Sequence, residues 1–353
     1  MSLFIELLQI SLGNHTELSR VPSKTEWEEL FEEAQRQTVA GMLLEGLEHL
    51  SIEQRPSQLL ILEWIGEAQI VEQTGLLHRE RAGELTRVFN AGGFRSVVLK
   101  GLSSAERYPN PLRRQCGDID IWVDGSRKDI SSWMKGRGIE AEHSEWHHIG
   151  TKFFDDVEVE VHVHPSWMYN PWHNRELQKF FSKNKDCSKH TDRGYNVTTA
   201  TFDSVYQLTH VFHHLLEEGV GVRHIVDYYY VLIKLRDDKD NHQSTTSEDA
   251  KGTEIIAVLR KLGLIKFAAA IMYVMKEVCG AEDGILLCEP DEKEGRFLMN
   301  EVMAAGNFGI QRVGVELKRN SIKRFIVMAK HYPSEVLWMI PWKVWHKGWR
   351  LVN

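Results

Sequence analysis

Eight residues, Val157 to His164, alternate valine with glutamate or histidine without a break until Pro165 ends the run. Period two is the signature of a strand with one face buried, and few other local structures tolerate it. The valines would share one face, and Glu158, Glu160, His162 and His164 the other. A second strand-like run, Asp118-Ile-Asp-Ile-Trp-Val123, has the same design. Asp118 and Asp120 project together while Ile119, Ile121 and Val123 turn to the opposite, buried side. A chain with two such runs must build a sheet whose polar face is spent on something other than packing.

The patterns around these runs are helical. Ser23 and Glu26 form a capping pattern before Trp27, Leu30 and Phe31, and a long helix is expected from about Ser57 to Asn90, broken by Gly92-Gly93. Val97 to Lys100 reads as a short buried strand, Leu102 to Tyr108 as one or two helical turns, and Ser126 as the cap of a helix to about Lys135. Helices return at Phe202–Glu217 and Arg223–Leu235, followed by a polar stretch, about 236–253, that reads as an exposed loop. The expected fold class is α+β: a small mixed or antiparallel sheet flanked by N- and C-terminal helical segments. The corresponding divisions are 1–92, 93–200 and 201–353.

Composition bounds the function classes. A net charge of -7 on 353 residues argues against wholesale nucleic-acid binding. The four cysteines, Cys116, Cys187, Cys279 and Cys288, show no paired spacing, which suits a reducing compartment. The N-terminus carries Glu6 where a signal peptide would be basic, and reads as an amphipathic helix. No apolar run reaches the roughly 20 residues of a membrane span. A cytoplasmic protein is expected.

The aspartate pair is the chemical centre of the sequence. Two carboxylates on one strand face repel unless a cation lies between them. Oxygen-only ligands suit Mg²⁺, with water and substrate phosphate filling its remaining positions. Glu160 would be the third acid, with Glu158, two residues away on the same face, as its rival. An alternating strand with a solvated polar face is the plainer account of the same pattern.

The run Leu99-Lys100-Gly101, then Tyr108-Pro109 and Pro111, then Arg114-Gln115-Cys116-Gly117-Asp118-Ile119-Asp120, then Glu160-x-His162, resembles an uncharacterised bacterial nucleotidyltransferase family of the polymerase-β-like superfamily. The resemblance covers about residues 95–165. It implies a sheet of polymerase-β-like type and transfer of a nucleoside monophosphate from an NTP to an acceptor, with release of pyrophosphate. Asp118, Asp120 and Glu160 would hold two Mg²⁺ ions, Mn²⁺ being an alternative, with Glu160 a candidate general base and His162 orienting it. Lys100, Gly101, Ser103, Ser104 and Arg114 would meet the nucleotide phosphates, with backbone N–H groups near Gly101 approaching them at a helix start. Lys100-Gly101-Leu102-Ser103 stands where the superfamily usually has Gly-Ser. For Arg114 the competing role is a structural ion pair with one of these acids.

Three further features compete for attention. His210 and His214 share a helix face at the spacing of a zinc pair, but the adjacent glutamate of hydrolytic sites is missing. Arg223 and Asp227 are spaced for an intrahelical ion pair. From Arg312 to Arg350 nine basic residues face two acidic ones, with Trp338, Trp342, Trp345 and Trp349 interleaved. That tail reads as a tryptophan stripe packed on the rest of the chain, with polyanion or membrane-surface contact as the alternative. The sequence therefore points to an ATP- or other NTP-using, Mg²⁺-dependent nucleotidyltransferase with an unidentified small-molecule, protein or RNA acceptor. A degenerate relative that binds nucleotide or a partner without catalysis is the alternative.

Overall fold

Four helices precede the first strand: α1 (Leu3–Ser11), α2 (Lys24–Arg36), α3 (Ala40–His49) and α4 (Gln58–Ala91). The computed structural model describes residues 2–240, 248–306 and 316–352. At α2 the Ser23 hydroxyl accepts from Glu26 N while the Glu26 carboxylate accepts from Ser23 N, the reciprocal cap that the spacing predicts. α4 stops at Gly92, and Gly93, at φ 81°, turns the chain as only glycine does without strain. α1 differs from expectation. Every residue from Phe4 to Ile10 is buried, and Glu6 is accommodated by accepting from Ser19 N at 2.8 Å.

The sheet spans residues 96–198. Its strands are β1 (Ser96–Val98), β2 (Ile119–Val123), β3 (Ala141–Ser144), β4 (His148–Thr151), β5 (Val159–His162), β6 (Ser188–His190) and β7 (Asn196–Thr198). They lie in the order β3-β4-β5-β2-β1-β7-β6, with β2/β5 and β1/β7 parallel and the other pairs antiparallel. Seven strands make the sheet larger than the small one expected. The additional edge is the β6–β7 hairpin, whose three-residue strands, Ser-Lys-His and Asn-Val-Thr, carry too little alternation to read. β5 is also shorter than its eight-residue pattern. Beyond His162 the N–H groups of Val163 and His164 both donate to the His147 carbonyl, which ends the ladder.

Helices α5 (Lys100–Ala105), α6 (Arg127–Gly136) and α7 (Pro171–Lys183) interrupt the strands, and Ser126 caps α6 as expected. One face of the sheet is apolar: Ile119, Ile121, Val123, Val159 and Val161 pack on Leu85 and Phe89 of α4 and on Ile130 and Met134 of α6. The other face meets the C-terminal helices, where Trp122 stacks on Phe202 at 5.8 Å. These helices are α8 (Ala200–Glu217), α9 (Val222–Asp240), α10 (Glu248–Lys261), α11 (Ile265–Cys279), α12 (Glu292–Ala305), α13 (Glu316–His331) and α14 (Pro333–Val352). The expected loop at 236–253 is narrower, since α9 continues to Asp240 and α10 begins at Glu248; residues 241–247 lie outside the described residues. The terminal helical segments share one apolar cluster, and Asn14 Nδ2 donates to the Cys279 carbonyl at 2.7 Å.

The last helix bears on the site. Glu335 accepts from the backbone N–H groups of Tyr169 (2.8 Å) and Asn170 (3.1 Å), pinning the start of α14 to the segment after β5. Near its other end Glu145 pairs with His346 at 3.0 Å and Arg350 at 3.4 Å. α14 is thereby held across the sheet. Among the described residues no helix is long and apolar enough to cross a membrane.

Candidate active site

Register builds the site. In the parallel pair Asp120 lies beside Glu160 and Trp122 beside His162; in the antiparallel pair His148 lies opposite His162. Side chains at partnered and i, i+2 positions share a face. Asp120, Glu160, His162 and His148 therefore form one polar patch on two central strands and their neighbour. Asp118 sits one step before β2, and Lys100 opens α5 where β1 ends. Lys100 adopts φ 26°, an uncommon conformation for a residue with a side chain.

Glu160, His162 and His148, with Lys100 and Asp118, floor a cleft of about 600 Å³, while Asp120 faces a smaller chamber. The walls of the cleft are the Pro165–Trp167 segment, the end of α8 with His210, His213, His214, Glu217 and Glu218, and Trp342, Lys343, His346, Lys347 and Arg350 of α14. The smaller chamber, of about 60 Å³, lies behind it, lined by Lys100, Gly101, Ser104, Arg114, Asp118, Asp120 and Arg223 among others. Lys100, Asp118 and His210 border both spaces.

Charges alternate across the floor. Lys100 Nζ lies 2.8 Å and His162 Nε2 2.7 Å from the same oxygen, Asp120 Oδ1. His162 Nε2 is also 3.4 Å from Glu160 Oε2, and His148 Nε2 is 3.5 Å from Glu160 Oε1. Burial pulls the Lys100 ammonium down, yet Asp120 and Asp118 hold it well above the usual lysine value. Burial likewise opposes charge on His162, but its hydrogen bonds to Asp120 and Glu160 raise it to about 9. Glu160 is pushed up by burial and brought well below the ordinary carboxylate range by His162 and Lys100. The other imidazoles are the reverse case. Burial with like-charged neighbours lowers His148 to about 4 and His213 to about 3, and drives His147 and His210 well down. A cationic, carboxylate-clasped His162 thus faces a wall of neutral imidazoles.

Asp118 stands apart. Its side chain makes no hydrogen bond or ion pair among the described residues and lines both spaces, a half-buried carboxylate with room beside it. Asp120, Glu160 and His162 each bring an atom to within 4.8 Å of the others, as do the sets His147, His148, His162 and His143, His148, Glu160; Asp118 joins none of these groups. Donors of this kind fit a divalent cation, although the set is mixed nitrogen and oxygen rather than the oxygen-only triad expected.

Several expected site residues are elsewhere. Ser103 is buried with its hydroxyl 2.6 Å from Thr198 Oγ1, tying α5 to β7 and facing away from the cleft. Ser104 accepts from Gln207 Nε2 at 3.1 Å and borders only the inner chamber. Gly101 has ordinary φ, and a Cβ there would rest at 3.6 Å from Arg114, so no close approach demands glycine. α5 has six residues and no side-chain cap, too short a helix to supply a phosphate cradle by itself. Arg114, which lines the inner chamber, makes a buried ion pair, but its partner is none of the three acids. It forms a bidentate pair with Asp227 (Nε 3.1 Å, Nη2 2.5 Å), which also accepts from Tyr108 at 2.8 Å. Asp227 thus takes its cation from a residue 113 positions away, and Arg223 Nη1 donates to the Gln115 carbonyl at 3.0 Å. Burial and the adjacent Arg114 push Arg223 down to about 10. Glu158 is exposed outside the cleft, and of these two glutamates Glu160 is the one that lines it.

A family described as uncharacterised nucleotidyltransferase matches residues 23–280. The chain belongs to that family. Among solved structures, an antigenic nucleotidyltransferase-like protein from Paracoccidioides brasiliensis aligns over 53% of this chain and 90% of its own, at 10% identity and a TM-score of 0.31. So loose a likeness carries no residue correspondence. No curated protein matches the chain at a significant level.

The nucleotidyltransferase match contains the whole floor but stops before α14, which supplies one wall of the cleft. The tail's tryptophans pack inward as expected in part: Trp342 stacks on Trp167 at 5.7 Å and on His346 at 4.6 Å, while Trp345 is half exposed. His210 and His214 meet through their Nε2 atoms at 3.0 Å, one donating to the other. Sequence reasoning missed Trp167 and the pairing of His148 with Glu160. The first had a weak signal in the Pro165-Ser-Trp segment that ends the alternating run. The second needed the β4–β5 register.

Proposed function

We propose that this chain transfers a nucleoside monophosphate from an NTP to a hydroxyl-bearing acceptor bound in the cleft under α14. Family membership supports nucleotidyl transfer in general. The observation that carries the finer reading is Asp118, a carboxylate whose side chain makes no hydrogen bond or ion pair among the described residues and has open space beside it, next to the Asp120–Glu160 pair. Asp118, Asp120 and Glu160 would hold the divalent cations, Mg²⁺ in this reading. When bound, the cations supply Lewis-acid activation of the phosphoryl group and neutralise the departing pyrophosphate.

The chain's own residues do the positioning. Lys100, at the lip between the two spaces, places a fixed positive charge where triphosphate oxygens can reach it. Lys347 and Arg350 add positive charge at the cleft mouth. The acceptor oxygen attacks the α-phosphorus and the bond from that phosphorus to the α–β bridging oxygen breaks. Pyrophosphate leaves, and the acceptor proton passes to Glu160. Placement and charge neutralisation carry the rate enhancement.

One observation favours the non-catalytic alternative: Lys100 and His162 already neutralise Asp120 from within the protein. A binder without metal would need such built-in cations. The two readings separate in an assay of pyrophosphate release from each NTP with Mg²⁺ and pooled hydroxyl acceptors. The transferase releases pyrophosphate with at least one NTP and loses it in Asp118→Ala. NTP binding that ignores Mg²⁺ and releases no pyrophosphate identifies the binder.

A further inference from the structure

We infer that Asp120, Glu160 and His162, with His148 beside the other oxygen of Glu160, form a mixed oxygen–nitrogen site selective for a first-row transition-metal dication over Mg²⁺. This rests on the nucleotidyl-transfer reading of the same cleft and names the cation for its Glu160 side. Imidazole nitrogen is a preferred donor for manganese-to-zinc dications and a poor one for Mg²⁺, which selects oxygen.

Three observations converge. First, Asp120, Glu160 and His162 bring donor atoms within 4.8 Å of one another. Second, His148 is 8% exposed and its Nε2 is buried with no hydrogen-bond partner, although it lies 3.5 Å from Glu160 Oε1. A buried ring nitrogen left without a partner is a cost that a native fold ordinarily avoids, and a bound ion removes it. Third, the other ring nitrogen of His148 lies 2.7 Å from His147 Nε2. That contact fixes the ring so that Nε2 points at Glu160, the outer support typical of ligating histidines. Among the described residues Asp118 joins none of these donor groups, so the cleft offers two unlike positions. The Asp118 side suits a cation arriving with the triphosphate; the Glu160 side suits a resident one.

The test uses the full chain, stripped with chelator, and Co²⁺ as the probe, read by its visible absorption and by calorimetry beside Mg²⁺. The inference predicts one tight Co²⁺ equivalent, bound at least about a hundredfold more tightly than Mg²⁺ at that position. His148→Ala and Glu160→Gln should weaken Co²⁺ by roughly tenfold to a hundredfold. His190→Ala, on the exposed β6 strand, should leave it unchanged. His148→Gln keeps the size of the ring's stem and serves where the alanine variant fails to fold, as judged by circular dichroism. Equal Co²⁺ affinity in the His148 variants, loss only in His210→Ala, or Co²⁺ no tighter than Mg²⁺ overturns the inference. Thermal shift with Mg²⁺ and NTP on the same samples separates the two claims. A nucleotide-induced shift without a Co²⁺ site sinks this inference alone, and a missing nucleotide shift sinks the functional reading.

Discussion

The two faces of strands β2 and β5 are made by the same ten or so residues and obey opposite rules. On one, Ile119, Ile121, Val159 and Val161 are at most 1% exposed and join an apolar cluster with residues of α4 and α6. On the other, Asp120, Glu160 and His162 are equally central in the sheet yet hold charge beside an open cleft. The first face is generic, since any well-packed branched side chains would serve. The second is specific, since each charge is tolerable only because of its neighbour. Stability and chemistry are thus separated by a single residue step along the chain, and substitutions on the two faces should fail in different ways.

The largest effect is expected at Asp120. Removing it in Asp120→Ala leaves Lys100 and His162 buried without their shared oxygen. The cost should be about 3–5 kcal/mol in denaturant unfolding, with loss of NTP binding in the fraction that folds. Arg114→Ala removes the bidentate partner of Asp227 and should cost a comparable ~3–5 kcal/mol. Arg114→Lys should restore little of it, because the bidentate fork is lost. The apolar face supplies the contrast. Ile121→Ala should cost about 2–5 kcal/mol yet leave Mg²⁺-dependent NTP stabilisation in the folded protein. Loss of nucleotide binding in that variant would erase the distinction between the faces.

Protonation sharpens the comparison within the cleft. His162, raised to about 9, stabilises fully below pH 6.5 and loses that contribution as the pH climbs through 9. His148 and His213, lowered to about 4 and 3, remain neutral when folded and take up a proton on unfolding below 6.5. Each weakens the fold by about 1.4 kcal/mol per pH unit between 6.5 and its folded value. Glu160, held low, adds to the loss below its ordinary range. Stability measured against pH should therefore fall more steeply on the acid side of 6.5 than on the alkaline side. A flat profile from pH 7 to 5 would contradict the neutral histidine wall. The smallest effect belongs to Lys347→Ala at the cleft mouth: within about 0.5 kcal/mol in stability, with NTP bound several-fold more weakly.

Period two and capping spacing made much of this legible in advance. The strands at Asp118–Val123 and Val157–His164, the Ser23 and Ser126 caps and the break at Gly92 all follow from local chemistry, and so do Asp120 and Glu160 on one face. What escaped depends on partners distant in sequence. Nothing local to Ser103 shows that Thr198, 95 positions on, claims its hydroxyl. The sequence around Arg114 points to phosphate or to the nearby acids, whereas its partner, Asp227, lies on α9. His148 gained meaning only from register, and α14 entered the site through Glu145 and Glu335, contacts no spacing rule foretells. Three-residue strands such as β6 and β7 carry too few side chains for a period to show.

Asp118 offers the cleanest test of the central claim, because among the described residues no hydrogen bond or ion pair depends on its carboxylate. Melting of the wild type and Asp118→Ala is compared with each NTP, with and without Mg²⁺. At about a hundredfold excess over the dissociation constant, a ligand of the native state adds about 2.7 kcal/mol. The account predicts a rise of several degrees with at least one NTP, dependent on Mg²⁺ and absent in Asp118→Ala. No shift with any NTP, or the same shift in both proteins, would contradict it.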